Sequence, residues 1–177
     1  MLVEVSIESI RVSLISQARV VILKDVDSDR YLPIWIGQFE AEAIMVTLQE
    51  MEVARPLTHD LLKNVILTMG GHVEQVVVTE LRDDVFYARI MVEANGKRLE
   101  IDSRPSDALA LAVRVRAPIF IDSAVMDKAA VHPEAEMTSE ETATGAPPAS
   151  GELGAFRDFV DSLDLDDLEG SEDTPSD

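Results

Sequence analysis

Alternating apolar and polar residues, the pattern typical of half-buried strands, open the chain. Apolar side chains alternate in one phase over residues 3–7 and in the opposite phase over residues 10–14. A change of phase turns the apolar side chains to the other face of a sheet. We therefore predict either one long strand with a bulge near residues 8–9 or two separate strands.

Two further strands are predicted over residues 19–26 and 31–36, separated by an Asp-Ser-Asp turn. Pro33 lies within the second of them. Because proline has no backbone N–H to donate to a neighbouring strand, this strand is expected at a sheet edge.

Helical spacing of apolar residues follows the strands. We predict helices over residues 39–52 and 58–69, with Thr58 as the N-cap of the second and Gly70 and Gly71 as its stop. The apolar face of the first helix is expected to consist of Ala41, Ile44, Met45, Leu48 and Met51.

A run of hairpins comes next. Strands over residues 73–81 and 85–93 are predicted to pair, and Asn95 and Gly96, the strongest two-residue hairpin signal, lead into a strand over residues 97–102. The meander is followed by another helix.

This third helix is predicted over residues 105–116, closed by Pro118 and followed by a short strand over 119–121 and a helical turn over 125–130. Hairpins outnumber strand–helix–strand repeats in this order. The fold class is therefore predicted to be α+β, with a mixed, mostly antiparallel sheet and three main helices.

Charge is distributed unevenly along the 177 residues. The formal net charge is −19, and the last quarter of the chain holds 14 of the 34 acidic residues but one of the 15 lysines and arginines. Its beginning is rich in Thr, Ser, Glu, Gly, Ala and Pro, which bury too little apolar surface to offset the entropy of ordering. We predict a domain over residues 1–131, a flexible linker over 132–151 and an acidic tail over 152–177.

The tail contains one amphipathic segment. Its apolar residues recur at helical spacing and are Leu153, Phe156, Phe159, Val160 and Leu163. A helix of this length is not stable alone. We therefore expect it to dock on its own domain, on a neighbouring subunit or on a partner protein.

Composition and motifs exclude several classes of protein. The sequence has no cysteine, which excludes disulfides, thiolate metal sites and cysteine nucleophiles. No apolar run reaches the roughly 20 residues of a membrane span, and no basic segment typical of a signal peptide opens the chain. A cytoplasmic protein without membrane association is expected. The phosphate-loop, dinucleotide-binding and HExxH signatures and the GxSxG signature of α/β-hydrolases are absent from the sequence.

Two stretches, beginning at Arg55 and Arg104, share the order Arg-Pro, hydroxyl residue, Asp at the start of a predicted helix. The proline, hydroxyl and acid suit a first helical turn, but a cation there opposes the helix dipole. Both arginines, together with Ser106, are therefore candidate ligands of an anion such as phosphate. The competing interpretation is an arginine–carboxylate pair with Asp102 or Asp107 as the partner.

Carboxylates are the other candidate groups. Glu40, Asp60, Asp102 and Asp107 are distant in sequence, so a site made of them has to be assembled by the fold. Two or three carboxylates holding Mg²⁺ or Mn²⁺ suffice for phosphodiester hydrolysis. His59 is the candidate general base, although a surface or capping histidine fits the same position.

Six stretches resemble the bifunctional nuclease domain family. They are residues 32–37, 40–44, 55–62, 85–88, 102–112 and 117–120. The resemblance implies an α+β domain, commonly oligomeric, that cleaves both RNA and DNA in some relatives. Some relatives continue into a helical-hairpin module, which the acidic tail replaces in this sequence.

The leading hypothesis is a nuclease acting on RNA and DNA as a homo-oligomer. Its sites are catalytic His59, Asp60 and Asp107, phosphate-binding Arg55, Arg104 and Ser106, and divalent-metal-binding Glu40 and Asp102. Two alternatives stay open: a non-enzymatic regulatory or interaction domain, and a sensor of small anions. The net charge of −6 over the first 130 residues disfavours extended nucleic-acid binding, which relies on Lys and Arg.

Overall fold

A computed structural model describes residues 1–12 and 18–132 of the chain. The predicted acidic tail, and the predicted linker beyond its first residue, lie outside the described residues. The elements of the described part are β1 (Leu2–Val12), β2 (Arg19–Asp25), β3 (Tyr31–Ile36), α1 (Gln38–Leu48), α2 (Thr58–Thr68), β4 (Gly71–Arg82), β5 (Val85–Ala94), β6 (Lys97–Ser103), α3 (Pro105–Val115), β7 (Ile119–Asp122) and α4 (Ser123–Ala129).

The strands form one sheet in the order β3-β2-β1-β7-β4-β5-β6. Its neighbouring strands are antiparallel apart from the parallel pair of β4 and β7. The predicted α+β class with a mixed, mostly antiparallel sheet is confirmed. A register shift between Ile7 and Ser9 confirms the bulge in β1, and β3, which contains Pro33, lies at an edge.

Two tight turns hold the second half of the sheet together. Asp83 and Asp84 connect β4 to β5, and Asn95 and Gly96 connect β5 to β6; all four residues have positive φ angles. Two consecutive positive φ angles give a turn whose twist matches that of the flanking strands. The predicted meander is confirmed.

Helix α3 lies at the centre of the helical layer. It packs on β4 and β5 and in turn supports α1 and α2, and residues 108–112 are all buried. Helix α1 buries Ala41 and Ile44, whereas α2 buries no residue completely. Among the described residues, no helix combines the length and apolar character needed to span a membrane.

Helix α1 ends at Leu48, four residues before its predicted end. The chain turns at Glu50, whose φ is 51°, and the N–H of Met51 donates to the carbonyl of Val46. A left-handed residue closes helices in this way, but glycine or asparagine usually occupies that position. Because glutamate carries no such signal, the prediction was too long, and Leu48 and Met51 are exposed instead of joining the core.

The predicted N-cap of α2 was wrong by one residue. Leu57 is the N-cap, and its N–H donates to the Asp60 carboxylate at 2.8 Å. The carboxylate in the first turn therefore accepts from the N–H of the N-cap residue, as in a capping box, and Thr58 is the first residue of the helix. At the other end, Gly70 adopts a φ of 78° directly after the helix, which confirms the predicted stop.

Candidate functional site

The first turns of α1, α2 and α3 meet at one place. Glu40 lies in the first turn of α1, His59 in that of α2 and Asp107 in that of α3, while Arg104 is the N-cap of α3. We call these four residues the Arg104 cluster. Of the eight predicted site residues, the structure brings these four into one hydrogen-bonded network.

Arg104 and Asp107 are the centre of the network. Arg104 donates from Nε to Asp107 Oδ2 at 2.7 Å and from Nη2 to Asp107 Oδ1 at 3.2 Å, which makes a bidentate pair. The same Nη2 lies 2.8 Å from Glu40 Oε1. His59 Nε2 lies 3.1 Å from Asp107 Oδ1. The arginine–carboxylate interpretation is therefore correct for Asp107, whereas Asp102 is not the partner.

The sequence produces this arrangement through ordinary helix-start chemistry. Pro105 fixes the first position of α3, and Asp107 follows in the first turn, where a negative charge complements the helix dipole. Glu40 does the same for α1. The N-termini of helices also favour bound anions because their first N–H groups have no partner within the helix.

Arg104 is the member of the cluster that faces solvent. Its side chain is 66 % exposed, whereas the His59 side chain is 12 % exposed. Within residues 1–12 and 18–132, Nη1 of Arg104 makes no hydrogen bond. An anion that approaches from solvent therefore meets a guanidinium that Asp107 and Glu40 hold in place and whose Nη1 can still donate hydrogen bonds.

Asp107 stays ionised well into the acidic range. Its partial burial would raise its pKa, but hydrogen bonds from Arg104 and His59 outweigh this effect and lower the pKa below its ordinary value. The pKa of Arg104 is raised by the same hydrogen bond and by the charge of Asp107. An ionised carboxylate only accepts hydrogen bonds, so His59 must donate through Nε2. In neutral His59 the lone pair is then on Nδ1, the nitrogen available to accept a proton.

Asp60 belongs to a different pair. Its Oδ1 accepts a hydrogen bond from Nε of Arg114 at 2.8 Å, and Arg114 also donates to the carbonyl of Ala110 at 2.7 Å. The Arg114 side chain is 3 % exposed. Burial would raise the pKa of Asp60, but hydrogen bonds from the Leu57 N–H and Arg114 outweigh it and lower the pKa. This pair joins the start of α2 to the end of α3.

Arg114 was missed by the sequence analysis. It lies seven residues after Asp107, so both side chains fall on the same face of α3, and the helix places α2 against that face. A cation on an otherwise apolar helix face was the available signal. An open cleft of about 300 Å³ lies beside the pair and includes Lys63 and Met51 in its lining.

The three other predicted site residues lie outside the Arg104 cluster. Arg55 is exposed in the loop before α2 and has no polar partner among the described residues. Ser106 is buried in the first turn of α3, and Asp102 is exposed on β6 opposite Arg89. In the described part of the chain, no three His, Asp or Glu side chains lie close enough together to hold a metal ion.

Acidification is expected to destabilise the fold through Asp25, Asp60 and Asp107. Asp25 is buried, which would raise its pKa, but hydrogen bonds from Ser28, from the Asp27 N–H and from Arg30 lower the pKa instead. In the unfolded chain each carboxyl regains its ordinary pKa of 3.8. The unfolded state therefore binds more protons as the pH falls through this value, and the free energy of unfolding decreases.

Thermal unfolding between pH 7 and pH 3 measures this effect. The melting temperature should be nearly constant above pH 5 and fall progressively below it. In Asp60→Asn the fall should be shallower because one of the three groups no longer titrates. Parallel pH profiles for the two proteins would contradict the assignment of Asp60.

Comparison with known proteins yields one family and two groups of relatives. A family model described as the bifunctional nuclease domain matches residues 21–134. An uncharacterized protein of Mycobacterium tuberculosis (strain H37Rv) is 38 % identical over 168 residues, which cover 95 % of this chain and 99 % of that protein. Bifunctional nuclease 1 of Oryza sativa subsp. indica is 30 % identical over 106 residues, covering 58 % of this chain and 32 % of the plant protein. Bifunctional nuclease 1 of Arabidopsis thaliana is 30 % identical over 94 residues, covering 51 % and 29 %.

Proposed function

The chain belongs to the bifunctional nuclease domain family, and from this premise we propose that it hydrolyses phosphodiester bonds of RNA and DNA at the Arg104 cluster. The observation that carries the proposal is a solvent-facing guanidinium held by two carboxylates, with a histidine hydrogen-bonded to one of them. This group combines an anion ligand with a proton acceptor at the meeting point of three helix N-termini.

In this proposal, Arg104 and the start of α3 bind the phosphate. The free Nη1 donors of Arg104 and the N–H groups of the first turn, including that of Ser106, suit phosphate oxygens. Arg55 lies exposed on the loop that leads into α2, four residues before His59, and we assign to its guanidinium the role of holding a neighbouring phosphate of the strand. Two such cations compensate for the negative charge of the domain locally.

Proton transfer falls to His59. Nδ1 of His59 takes a proton from water as the water oxygen bonds to phosphorus, and the bond from phosphorus to the ester oxygen breaks. Asp107 stabilises the imidazolium that forms on His59. This imidazolium then gives its proton to the leaving oxygen. Arg104 stabilises the charge that builds up on the phosphate oxygens in the transition state. Water as the nucleophile suits both RNA and DNA as substrates, because no 2′-hydroxyl is required.

A divalent cation is a further part of the proposal. Glu40 and Asp107 already accept from Arg104, so a cation beside them would be held by one or two carboxylates and would complete its shell with substrate phosphates and water, as Mg²⁺ commonly does. Bound there, Mg²⁺ or Mn²⁺ would supply charge neutralisation at the phosphate. Asp102 is exposed on β6 opposite Arg89, outside the Arg104 cluster, and takes no part in holding this cation.

Cleavage assays on Arg104→Ala test the proposal. Labelled single-stranded RNA and DNA are incubated with the purified protein in Mg²⁺, Mn²⁺ or EDTA. We expect the variant to lose roughly 10²-fold or more of the cleavage rate, because a preorganised donor to the transition state is removed. Arg11→Ala, at an exposed position on β1, is the matched control and should cleave normally. Equal cleavage by both variants would identify a contaminating nuclease and overturn the proposal.

A second candidate function is a binding domain without hydrolysis. The exposed apolar side chains of α1 and α2 favour it, since surfaces of this kind mark protein contacts. In this alternative the Arg104 cluster holds the helices together, and the oligomer and the acidic tail serve partner recognition. Stable oligonucleotide binding with no cleavage in any metal condition would favour it.

A further inference from the structure

The two edges of the sheet differ in their protection. At one edge, β3 contains Pro33, and Tyr31 is bridged by Val131. At the other edge, β6 pairs with β5 alone among the described strands, and its first six residues are all exposed. Helix α3 leaves the end of β6 and packs back over β4 and β5. An edge strand of this kind is a template for pairing with another chain, and its four charged residues (Lys97, Arg98, Glu100 and Asp102) restrict that pairing to a strand of complementary charge.

The bare edge continues into an apolar surface. Leu99 and Ile101 are 46 % and 43 % exposed, and they lie opposite Val92 and Ile90, so they are on the face that carries the helices. Helix α2 reaches the same place. A Cβ atom on Gly71 would lie 3.2 Å from Val92 and 3.3 Å from Ile66 of α2.

Helix α2 adds its own exposed apolar residues to this surface. They are Leu61, Leu62, Val65, Leu67 and Met69. These residues are exposed on the helical layer, which covers the same sheet face as Leu99 and Ile101, and exposed apolar residues in such number are typical of an interaction surface.

We propose that two copies of this chain pair antiparallel through β6, about a two-fold axis at Glu100, so that one sheet runs through both copies. The sequence of β6 is complementary to itself in this register. Leu99 lies opposite Ile101 of the partner subunit, and Arg98 lies opposite the partner's Asp102. Apolar residues thus meet apolar ones, twice, and each Arg98, which Glu74 holds at 2.6 Å within its own copy, gains the partner's Asp102 as a second carboxylate. Glu100 meets its own copy, but its charge is balanced by Arg89 at 3.3 Å.

Other registers fit less well. A shift of one residue would place Leu99 and Ile101 of one copy on one face of the joined sheet and those of the other copy on the opposite face. A shift of two residues would place Lys97 opposite an isoleucine and draw the Asn95 turn into the ladder. The register centred on Glu100 is the one that uses the whole of β6 and nothing beyond it.

This pairing gives each site a cation from the other copy. The partner's Lys97 lies opposite Ser103, which directly precedes Arg104, and opposite residues are about 4.5–5.5 Å apart between Cα atoms. Lys97 has no ion-pair partner in the part of the chain that the structure describes. The phosphate site is therefore composite, with Arg104 from one copy and Lys97 from the other; this second step rests on the proposed function.

The molar mass of the full chain in solution tests the pairing. Light scattering coupled to size exclusion should give twice the mass of one chain, and Leu99→Glu combined with Ile101→Glu should halve it, because four like charges would meet at the axis. Val85→Glu, an equally exposed apolar residue at the far end of β5, is the control and should leave the mass doubled. Circular dichroism verifies that each variant is folded. A monomeric unmodified chain, or a doubled mass in all variants, would overturn the interface.

Subunit mixing tests the composite site. Lys97→Ala and Arg104→Ala are each expected to lose cleavage and binding of a phosphorothioate oligonucleotide. After mixing and exchange, half of the dimers contain both variants, and one of their two sites has both cations, so about a quarter of the unmodified activity and binding capacity should return. No recovery would overturn the contribution of Lys97. If the unmodified chain does not cleave at all, the proposed function fails, while the mass and the oligonucleotide binding still decide the interface and the shared site.

Discussion

Replacing Asp107 with asparagine is expected to lower the rate of phosphodiester cleavage roughly 10²- to 10⁴-fold, the contribution typical of general acid–base catalysis. Asparagine keeps the volume of the side chain but removes its charge. The imidazolium of His59 then loses the carboxylate that stabilises it, and Arg104 loses the bidentate partner that orients its guanidinium. Both effects act on the transition state, so kcat should fall much more than KM rises.

The measurement is the initial rate of oligonucleotide cleavage as a function of substrate concentration and pH. Asp83→Asn is the control, because Asp83 lies in the β4–β5 turn at a φ of 50°, which asparagine tolerates well. It should retain the full rate. If Asp107→Asn cleaves as fast as this control, the histidine–aspartate pair takes no part in the reaction.

Replacing Asp60 with alanine is expected to cause the largest loss of stability, about 3 kcal/mol. Removal of one partner from a buried ion pair costs about 3–5 kcal/mol because the other charge remains buried alone. Arg114 is 3 % exposed, whereas Asp60 is partly exposed, so the lower end of this range applies. The variant also loses the acceptor for the Leu57 N–H at the start of α2.

Urea unfolding monitored by circular dichroism gives the free energy of unfolding for this comparison. Asp127→Ala is the matched control, since Asp127 makes an exposed ion pair with Arg30 at 3.2 Å and should contribute less than about 1 kcal/mol. The double variant Asp60→Ala, Arg114→Met should be more stable than Asp60→Ala alone, because the unpaired buried charge is gone. Equal stability of Asp60→Ala and the control would show that the pair does not hold α2 on α3.

Local patterns in the sequence determined the elements of this protein. Alternation predicts the strands and the bulge between Ile7 and Ser9, while the Asn95–Gly96 turn and the left-handed Gly70 mark element ends. These features are readable because each depends on residues that are neighbours in the chain. The end of α1 could not be predicted in this way, because Glu50 takes a left-handed conformation that glutamate rarely adopts.

The sequence also determined which residue types are available for chemistry, and it singled out Glu40, His59, Arg104 and Asp107. Four further predicted residues, Arg55, Asp60, Asp102 and Ser106, looked equally suitable from their positions near helix starts. Helix-start preferences alone cannot separate the two groups, because capping and catalysis use the same side chains.

Only the tertiary structure decided between them. Stacking α1 and α2 on α3 brings three helix starts together and assigns Asp107 to Arg104 and His59, but Asp60 to Arg114. Side chains separated by dozens of residues become hydrogen-bond partners through this packing, and no short-range pattern encodes the distance between them. Among the described strands, the same packing leaves β6 with β5 as its single neighbour. Contacts between distant segments are set by how the buried faces fit together, which is a property of the folded chain as a whole.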